Sequence, residues 1–208
     1  MPLVACVLLL QTGCSLFGIR STEEAPYSVL EEQGQYQIRH YESLIVATTI
    51  VDSDFDEAGK QAFRRLFNYI SGDNKAAREI AMTAPVIATE NAAMDSEKIA
   101  MTAPVMREKR DQGWRFSFVL PAGYTLENSP LPNDERVSLQ KIPARKVASL
   151  QYSGSWQQER FDANSELLLQ WLSEQKLQPD SLPRVAGYDP PWTLPFLRRN
   201  EVLVDIKP

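Results

Sequence analysis

The chain carries one arrangement of elements twice, 101 residues apart. When Ile38 is aligned with Leu139, Val46-Ala47-Thr48 falls opposite Val147-Ala148-Ser149. In each half, two short strand-like segments precede a segment with apolar residues at helical spacing, and two further strands follow. Two units of strand, strand, helix, strand, strand can share one antiparallel sheet or open barrel, with both helices packed outside it. The repeat therefore predicts an α+β fold, a distorted antiparallel β-barrel with two flanking helices, in a single domain.

Periodicity predicts the elements of the first half. Tyr36–Tyr41 alternates and Leu44–Val51 is rich in β-branched residues, so we predict two strands around a turn at Glu42-Ser43. Asp54–Ser71 predicts a helix, and Trp114–Leu120 predicts a further strand. The apolar stripe of the helix comprises Phe55, Ala58, Ala62, Phe63, Leu66, Phe67 and Ile70.

The second half follows the same order. Val137–Tyr152 predicts two strands around a turn at Pro143-Ala144, and the last strands are expected near Arg184–Tyr188 and Glu201–Ile206. A helix lies between these two pairs of strands. Its apolar stripe comprises Phe161, Leu167, Leu168, Trp171, Leu172 and Leu177.

A heptapeptide also occurs twice, as Ile80–Val86 and Ile99–Val105. In each copy Ile, Met, Ala and Val share one parity, which predicts two strands with an apolar, Met-rich face. Each proline removes a ladder donor, so each strand must end, bulge or lie at an edge near it. Met82 and Met101 could contact a flat apolar ligand or simply fill the core, because a thioether suits both environments.

The N-terminus predicts export and lipidation. Met1–Gly13 carries no charged side chain, and the apolar run Leu3–Leu10 is too short to span a bilayer but suits the core of a signal peptide. The cysteine that follows resembles the acylated cysteine of a bacterial lipoprotein. We therefore predict a signal peptide over 1–13, a tether over 14–32 lipidated at Cys14, and a folded domain over 33–208. This predicts an outer-membrane lipoprotein facing the periplasm. The alternatives are a plain cleaved signal, which would leave a periplasmic protein, or a short membrane anchor.

Composition argues against several classes of function. The chain of 208 residues has a net charge of −5 and no dense basic run, so we predict no nucleic-acid partner. One histidine, two cysteines confined to the leader and no Gly-x-Ser-x-Gly motif predict a protein that is not an enzyme. The same residues give no cysteine- or histidine-rich zinc site.

Several motifs follow one another along the chain, namely Tyr36–Tyr41, the two Met-Thr-Ala-Pro-Val copies, Phe118–Pro121, Ser153-Gly154, Tyr188–Thr193 and Arg198–Val202. In this order and spacing, over about Tyr27 to Ile206, the chain resembles the SOUL haem-binding protein family. The resemblance implies a barrel similar to the effector-binding domains of GyrI-like regulators. It also implies binding of haem or another tetrapyrrole through a shallow apolar surface.

Candidate ligand contacts follow from that expectation. His40 is the only histidine and could ligate haem iron, or it could bond to the turn at Glu42-Ser43. Lys60 and Arg64 lie four residues apart on the first helix and could pair with propionates, or could form a solvated helix face. Arg198-Arg199 is a second cationic candidate.

The segment beside that arginine pair could be an apolar flap or a tethered part of the core. It contains Trp192, Pro195, Phe196 and Leu197. The leading hypothesis is thus a non-catalytic tetrapyrrole-binding protein of the cell envelope. The alternatives are a module that binds a protein or lipid, and a hydrolase acting on a hydrophobic substrate.

Overall fold

The computed structural model describes residues 22–76 and 96–208. Two helices occur in these ranges, α1 (Phe55–Ile70) and α2 (Gln158–Glu174), with one 3₁₀ turn at Pro195–Leu197. The strands are β1 (Glu23–Glu24), β2 (Tyr27–Gln33), β3 (Tyr36–Tyr41), β4 (Leu44–Val51), β5 (Asn74–Lys75), β6 (Thr102–Ala103), β7 (Val105–Lys109), β8 (Trp114–Val119), β9 (Leu131–Pro132), β10 (Ser138–Ile142), β11 (Arg145–Tyr152), β12 (Arg184–Gly187) and β13 (Asn200–Ile206).

Nine of these strands form one curled antiparallel sheet, a half-barrel. Their order is β10-β4-β8-β7-β12-β13-β11-β3-β2. Helix α1 packs on β4 and β8, and helix α2 packs on β11 and β13. The predicted α+β class and its two flanking helices are confirmed, and the architecture is that of the GyrI-like fold. Neither helix of the described ranges is long and apolar enough to cross a membrane.

The predicted duplication is present, but the two units exchange strands. Strand β3 pairs with β11 and β2, and β10 pairs with β4. The two residues Glu42-Ser43 therefore join strands that are not hydrogen-bonded neighbours. The first strand of each unit, β3 or β10, thus pairs with the second strand of the other unit, so one continuous sheet requires both halves.

Helix α1 has the local features that its sequence predicts. The Asp54 carboxylate caps it by accepting from the backbone N–H groups of Asp56 (3.1 Å) and Glu57 (2.8 Å), and Ser71 closes it. Five of the seven stripe residues are buried, namely Phe55, Ala58, Ala62, Leu66 and Ile70. The other two differ from the prediction, since Phe63 is only partly buried and Phe67 is exposed. The apolar stripe is wider than the contact between the helix and the sheet.

Helix α2 shows a similar difference. Phe161, Leu168 and Leu172 are buried as predicted, whereas Leu167 is 50% exposed. Adjacent residues are about 100° apart around a helix, so Leu167 and Leu168 cannot both face the sheet. Trp171 lies at the margin and stacks on Tyr36 with ring centroids 4.9 Å apart.

The described strands begin before residue 33, within the segment predicted to be a tether. Strand β2, over Tyr27–Gln33, pairs with β3, and Glu23–Glu24 pairs with β6. Most of β2 is exposed because it is the edge strand. Its polar sequence therefore resembles a solvated linker, although its backbone belongs to the sheet.

The second heptapeptide does not form one regular strand. Thr102–Ala103 pairs with β1, and after Pro104 the chain continues as β7 between β8 and β12. Residues 99–101 belong to no strand, and the predicted alternation fails: Ile99 and Ala103 are buried and Met101 is 38% exposed. The first heptapeptide, with Met82, lies outside the described residues.

Candidate ligand-binding surface

The two stripe residues that α1 leaves uncovered form an aromatic ledge. The rings of Phe63 and Phe67 stack with centroids 5.7 Å apart, and Phe63 also meets Phe118 edge-on at 5.5 Å. Phe67 is 45% exposed. The inner ring is thus fixed by the core while the outer ring presents a flat face to solvent.

The ledge borders an open cavity of about 320 Å³. Its lining comprises Phe67, Ile70, Ser71, Lys98, Ile99 and Met101. We call this lining the Phe67–Met101 surface. It lies between the last turn of α1 and the chain segment that leads into β6.

Hydrogen bonds fix that segment against the end of α1. The N–H of Ile99 donates to the carbonyl of Ile70 (2.8 Å). The buried Asn74 amide donates to the carbonyls of Tyr69 (2.7 Å) and Glu97 (2.8 Å), and its oxygen accepts from the Glu97 N–H (2.9 Å). No local sequence pattern marks Asn74, because its role depends on its contact with Glu97, 23 residues away.

Cations lie along the same side of α1 as the exposed ring. Lys60, Arg64 and Phe67 follow at i, i+4 and i+7, so they share one stripe. Lys60 and Arg64 are exposed, and the Lys60 ammonium is 3.8 Å from the Glu57 carboxylate. Lys98 adds a third cation in the cavity lining, one that sequence analysis missed. The sequence signal that could have indicated Lys98 is its position directly before the second heptapeptide.

His40 lies elsewhere in the fold. Its Nε2 is 3.6 Å from the Glu42 carboxylate at the end of β3, with a side chain 39% exposed. It does not belong to the Phe67–Met101 surface. This placement favours the alternative in which His40 contacts the turn, and iron ligation by His40 stays a prediction.

The described residues contain no group of three or more His, Cys, Asp or Glu side chains arranged for a metal ion. Of the other predicted contacts, Met101 is in the surface, while Met82 and Cys14 lie outside the described ranges. The structure thus brings Met101 together with the helix that carries Lys60 and Arg64. It defines a class of protein: a GyrI-like α+β domain with a shallow apolar surface bordered by cations.

Comparison with known proteins identifies the family within this class. A model for the SOUL heme-binding protein family matches residues 22–97 and 87–205, so the chain belongs to the SOUL family. Heme-binding protein 1 of Xenopus tropicalis is 28% identical over 191 residues, which cover 90% of this chain and 93% of that protein.

Solved structures show the same fold at low identity. The C-terminal domain of EcmrR superposes with a TM-score of 0.55 at 12% identity, covering 83% of this chain and 97% of that one. A hydrolase from Listeria innocua superposes with a TM-score of 0.51 at 10% identity, covering 86% and 94%. These likenesses establish the architecture of the sheet and helices alone.

Proposed function

We propose that this protein binds haem or another tetrapyrrole at the Phe67–Met101 surface. The observation that carries the proposal is the exposed, core-supported Phe67 ring beside Met101 and an open cavity. A porphyrin is a large apolar plate, and removing apolar area from water contributes about 25 cal/mol per Å². Membership of the SOUL family and the likeness to heme-binding protein 1 support the same ligand.

The charges near this surface fit the carboxylates of haem. Lys98 lies in the lining, and Lys60 and Arg64 lie on the same side of α1 as Phe67. Propionates pair with such cations through charge-assisted hydrogen bonds. Phe67 and Met101 would hold the ring face. Haem would supply an iron centre able to bind small ligands or exchange electrons. The protein's own residues would bind the plate and shield one side of it from water.

A haemin titration followed at the Soret band tests this proposal. Wild type should give saturable one-to-one binding. Phe67→Ser should weaken binding about tenfold, because roughly half a phenyl face loses its contact. Lys60→Ala combined with Arg64→Ala should weaken it about three- to tenfold, since both charges are solvated.

Two further variants separate the roles of the candidate residues. Leu131→Ser removes a side chain that is 60% exposed but outside the surface, so its affinity should equal that of wild type. His40→Ala should leave the Soret position unchanged if His40 only contacts Glu42, and should shift it if His40 ligates iron. Nonsaturable adsorption, equal in wild type and Phe67→Ser, would reject haem binding at this surface.

We further propose that the protein is non-catalytic and is held at the cell envelope by acylation of Cys14. The uncharged leader with its apolar run, followed directly by a cysteine, supports this. Wild-type protein should incorporate a fatty-acid probe and sediment with membranes. Cys14→Ala should do neither, and equal labelling of the two would contradict lipidation.

A further inference from the structure

One loop of the described chain presents large apolar side chains to solvent. It joins β12 to β13. In it Trp192 is 65% exposed, Leu194 43% and Phe196 70%. We call it the Trp192–Phe196 loop. A cluster of this kind on a soluble surface marks an interaction site.

The loop is held in place by polar contacts along its whole length. The Arg198 guanidinium donates to the carbonyls of Thr193 (2.7 Å) and Pro191, and the Gly154 N–H donates to the carbonyl of Pro195 (2.9 Å). At its base, the Arg199 N–H donates to the Asp189 carboxylate (2.6 Å). The exposed apolar side chains are therefore carried by a backbone whose carbonyl groups accept hydrogen bonds from the rest of the domain. The sequence allows this segment to be either an apolar flap or a part of the core. The exposure of Trp192 and Phe196 shows that it is not part of the core.

The base of this loop is also where the N-terminal segment meets the domain. The Arg199 side chain donates to the Glu24 carboxylate (3.0 Å) and to the Tyr27 hydroxyl (3.1 Å). Glu24 lies ten positions after Cys14, so the two are at most about 35 Å apart. A membrane that holds Cys14 is thus within reach of the side of the domain that carries the loop.

We propose that the Trp192–Phe196 loop inserts its apolar side chains into the interface of the membrane that anchors the chain. Tryptophan and phenylalanine favour this interface, where the ring is buried at the level of the headgroups. The contact would fix the orientation of the domain relative to the bilayer. This inference rests on the proposed anchoring at Cys14 and is independent of haem binding.

The test uses the mature protein, purified with its acylated Cys14, in vesicles of dioleoyl phosphatidylcholine. This zwitterionic lipid does not repel a chain of net charge −5. Flotation measures anchoring. Quenching of tryptophan emission by phosphatidylcholine brominated on its acyl chains measures insertion, and Trp192→Phe identifies the part of the signal that belongs to this residue among four tryptophans.

The expected result is a loss of Trp192 emission in brominated vesicles. Leu194→Ser combined with Phe196→Ser should restore that emission, whereas Leu131→Ser, at a side chain 60% exposed elsewhere, should not. Protein that floats while Trp192 remains unquenched overturns the loop proposal, leaves anchoring intact and makes the loop a candidate protein-docking site. Protein that fails to float overturns both. A haemin titration of the same samples reports on the proposed function separately.

Discussion

At the scale of single residues, the face of the sheet opposite the helices is organised around one buried carboxylate. Glu201 is fully buried and accepts from Arg39 (2.6 Å), Arg199 (2.8 Å) and the Tyr188 hydroxyl (2.9 Å). Burial alone would raise the pKa of Glu201, but the hydrogen bond and charge of Arg39, with help from Arg199, hold this pKa below its ordinary value. The carboxylate therefore stays ionised and neutralises a site that holds two guanidinium groups.

Replacing this carboxylate should be costly. Glu201→Gln leaves the buried Arg39 without its anion and leaves Arg199 with Glu24 alone, and we expect a loss of about 3–5 kcal/mol in the free energy of unfolding, measured by urea titration at neutral pH. Glu57→Gln, which removes an exposed ion pair, should cost less than about 1 kcal/mol. A small, equal effect of both changes would contradict the structural role of Glu201.

The same comparison has a defined pH dependence. Because the folded pKa of Glu201 lies below its unfolded value, its contribution is present above the unfolded pKa and is lost as pH falls through the folded pKa. The stability difference between wild type and Glu201→Gln should therefore shrink in acid. A difference that grows in acid would show that the sign is wrong.

Among the described residues, Arg107 forms no ion pair with a carboxylate, which distinguishes it from Arg39. Its guanidinium is buried, lies 3.8 Å from the Phe55 ring centroid and donates to the Phe55 carbonyl (3.1 Å). Burial lowers its pKa to about 10, so it remains a cation at neutral pH. Gly59 leaves the room for it, because a Cβ there would lie 2.6 Å from the guanidinium. The Arg107 charge is thus accommodated by the aromatic ring and backbone carbonyl of Phe55 and by the space that Gly59 leaves. No local sequence pattern predicts this arrangement.

At the scale of elements, each helix divides its apolar residues between the core and another surface. The sheet covers Leu66 and Leu172 completely, whereas Phe67 and Leu167 face solvent. On α1 the uncovered residue becomes part of the Phe67–Met101 surface. A helix that packs on the core can therefore also contribute to a ligand-binding surface, through an apolar residue at the margin of its apolar stripe.

This division predicts a sharp contrast between neighbouring leucines. Leu66→Ala and Leu172→Ala each create a cavity beneath a helix and should lower the free energy of unfolding by about 2–5 kcal/mol. Leu167→Ala, five residues from Leu172 on the same helix, should change it by about 0.5 kcal/mol or less. Urea titrations in which all three variants match would show that the helix faces are assigned incorrectly.

At the scale of the whole molecule, the exchange of strands makes the two halves interdependent. Strand β3 is paired with β11, and β4 is paired with β10, across the boundary between the repeats. Residue pairs such as Ile38 and Ala148 are about a hundred positions apart in sequence but adjacent in the sheet. Neither half can satisfy all of its strand edges alone.

We therefore expect that fragments 22–134 and 135–208 do not fold separately. Each should lack a cooperative thermal transition by circular dichroism, because β3, β4, β10 and β11 each lose a partner. An equimolar mixture should regain strand content and a cooperative transition, although at lower temperature than the intact chain. A cooperative transition of 22–134 alone would contradict this interdependence.

The sequence by itself determined the elements and the family. Period-two and period-3.6 patterns are local, and they placed β3, β4, α1, β8, β10 and β11 within a few residues of their observed bounds. The 101-residue repeat predicted the two-helix architecture. The sequence also selected Met101, Lys60 and Arg64 from the heptapeptide and from helical spacing.

Tertiary structure decided what depends on partners distant in sequence. Only the sheet order shows that β3 pairs with β11 and not with β4. The hydrophobic pattern of a strand determines which of its faces is buried, but it does not determine which strand pairs with its edge. Polar strand β2 belongs to the sheet because its backbone is paired, a property its side chains do not encode. Likewise, Phe67 and Trp192 are exposed because of what the rest of the molecule leaves uncovered. Exposure is a property of the assembled surface, so no local pattern could have predicted it.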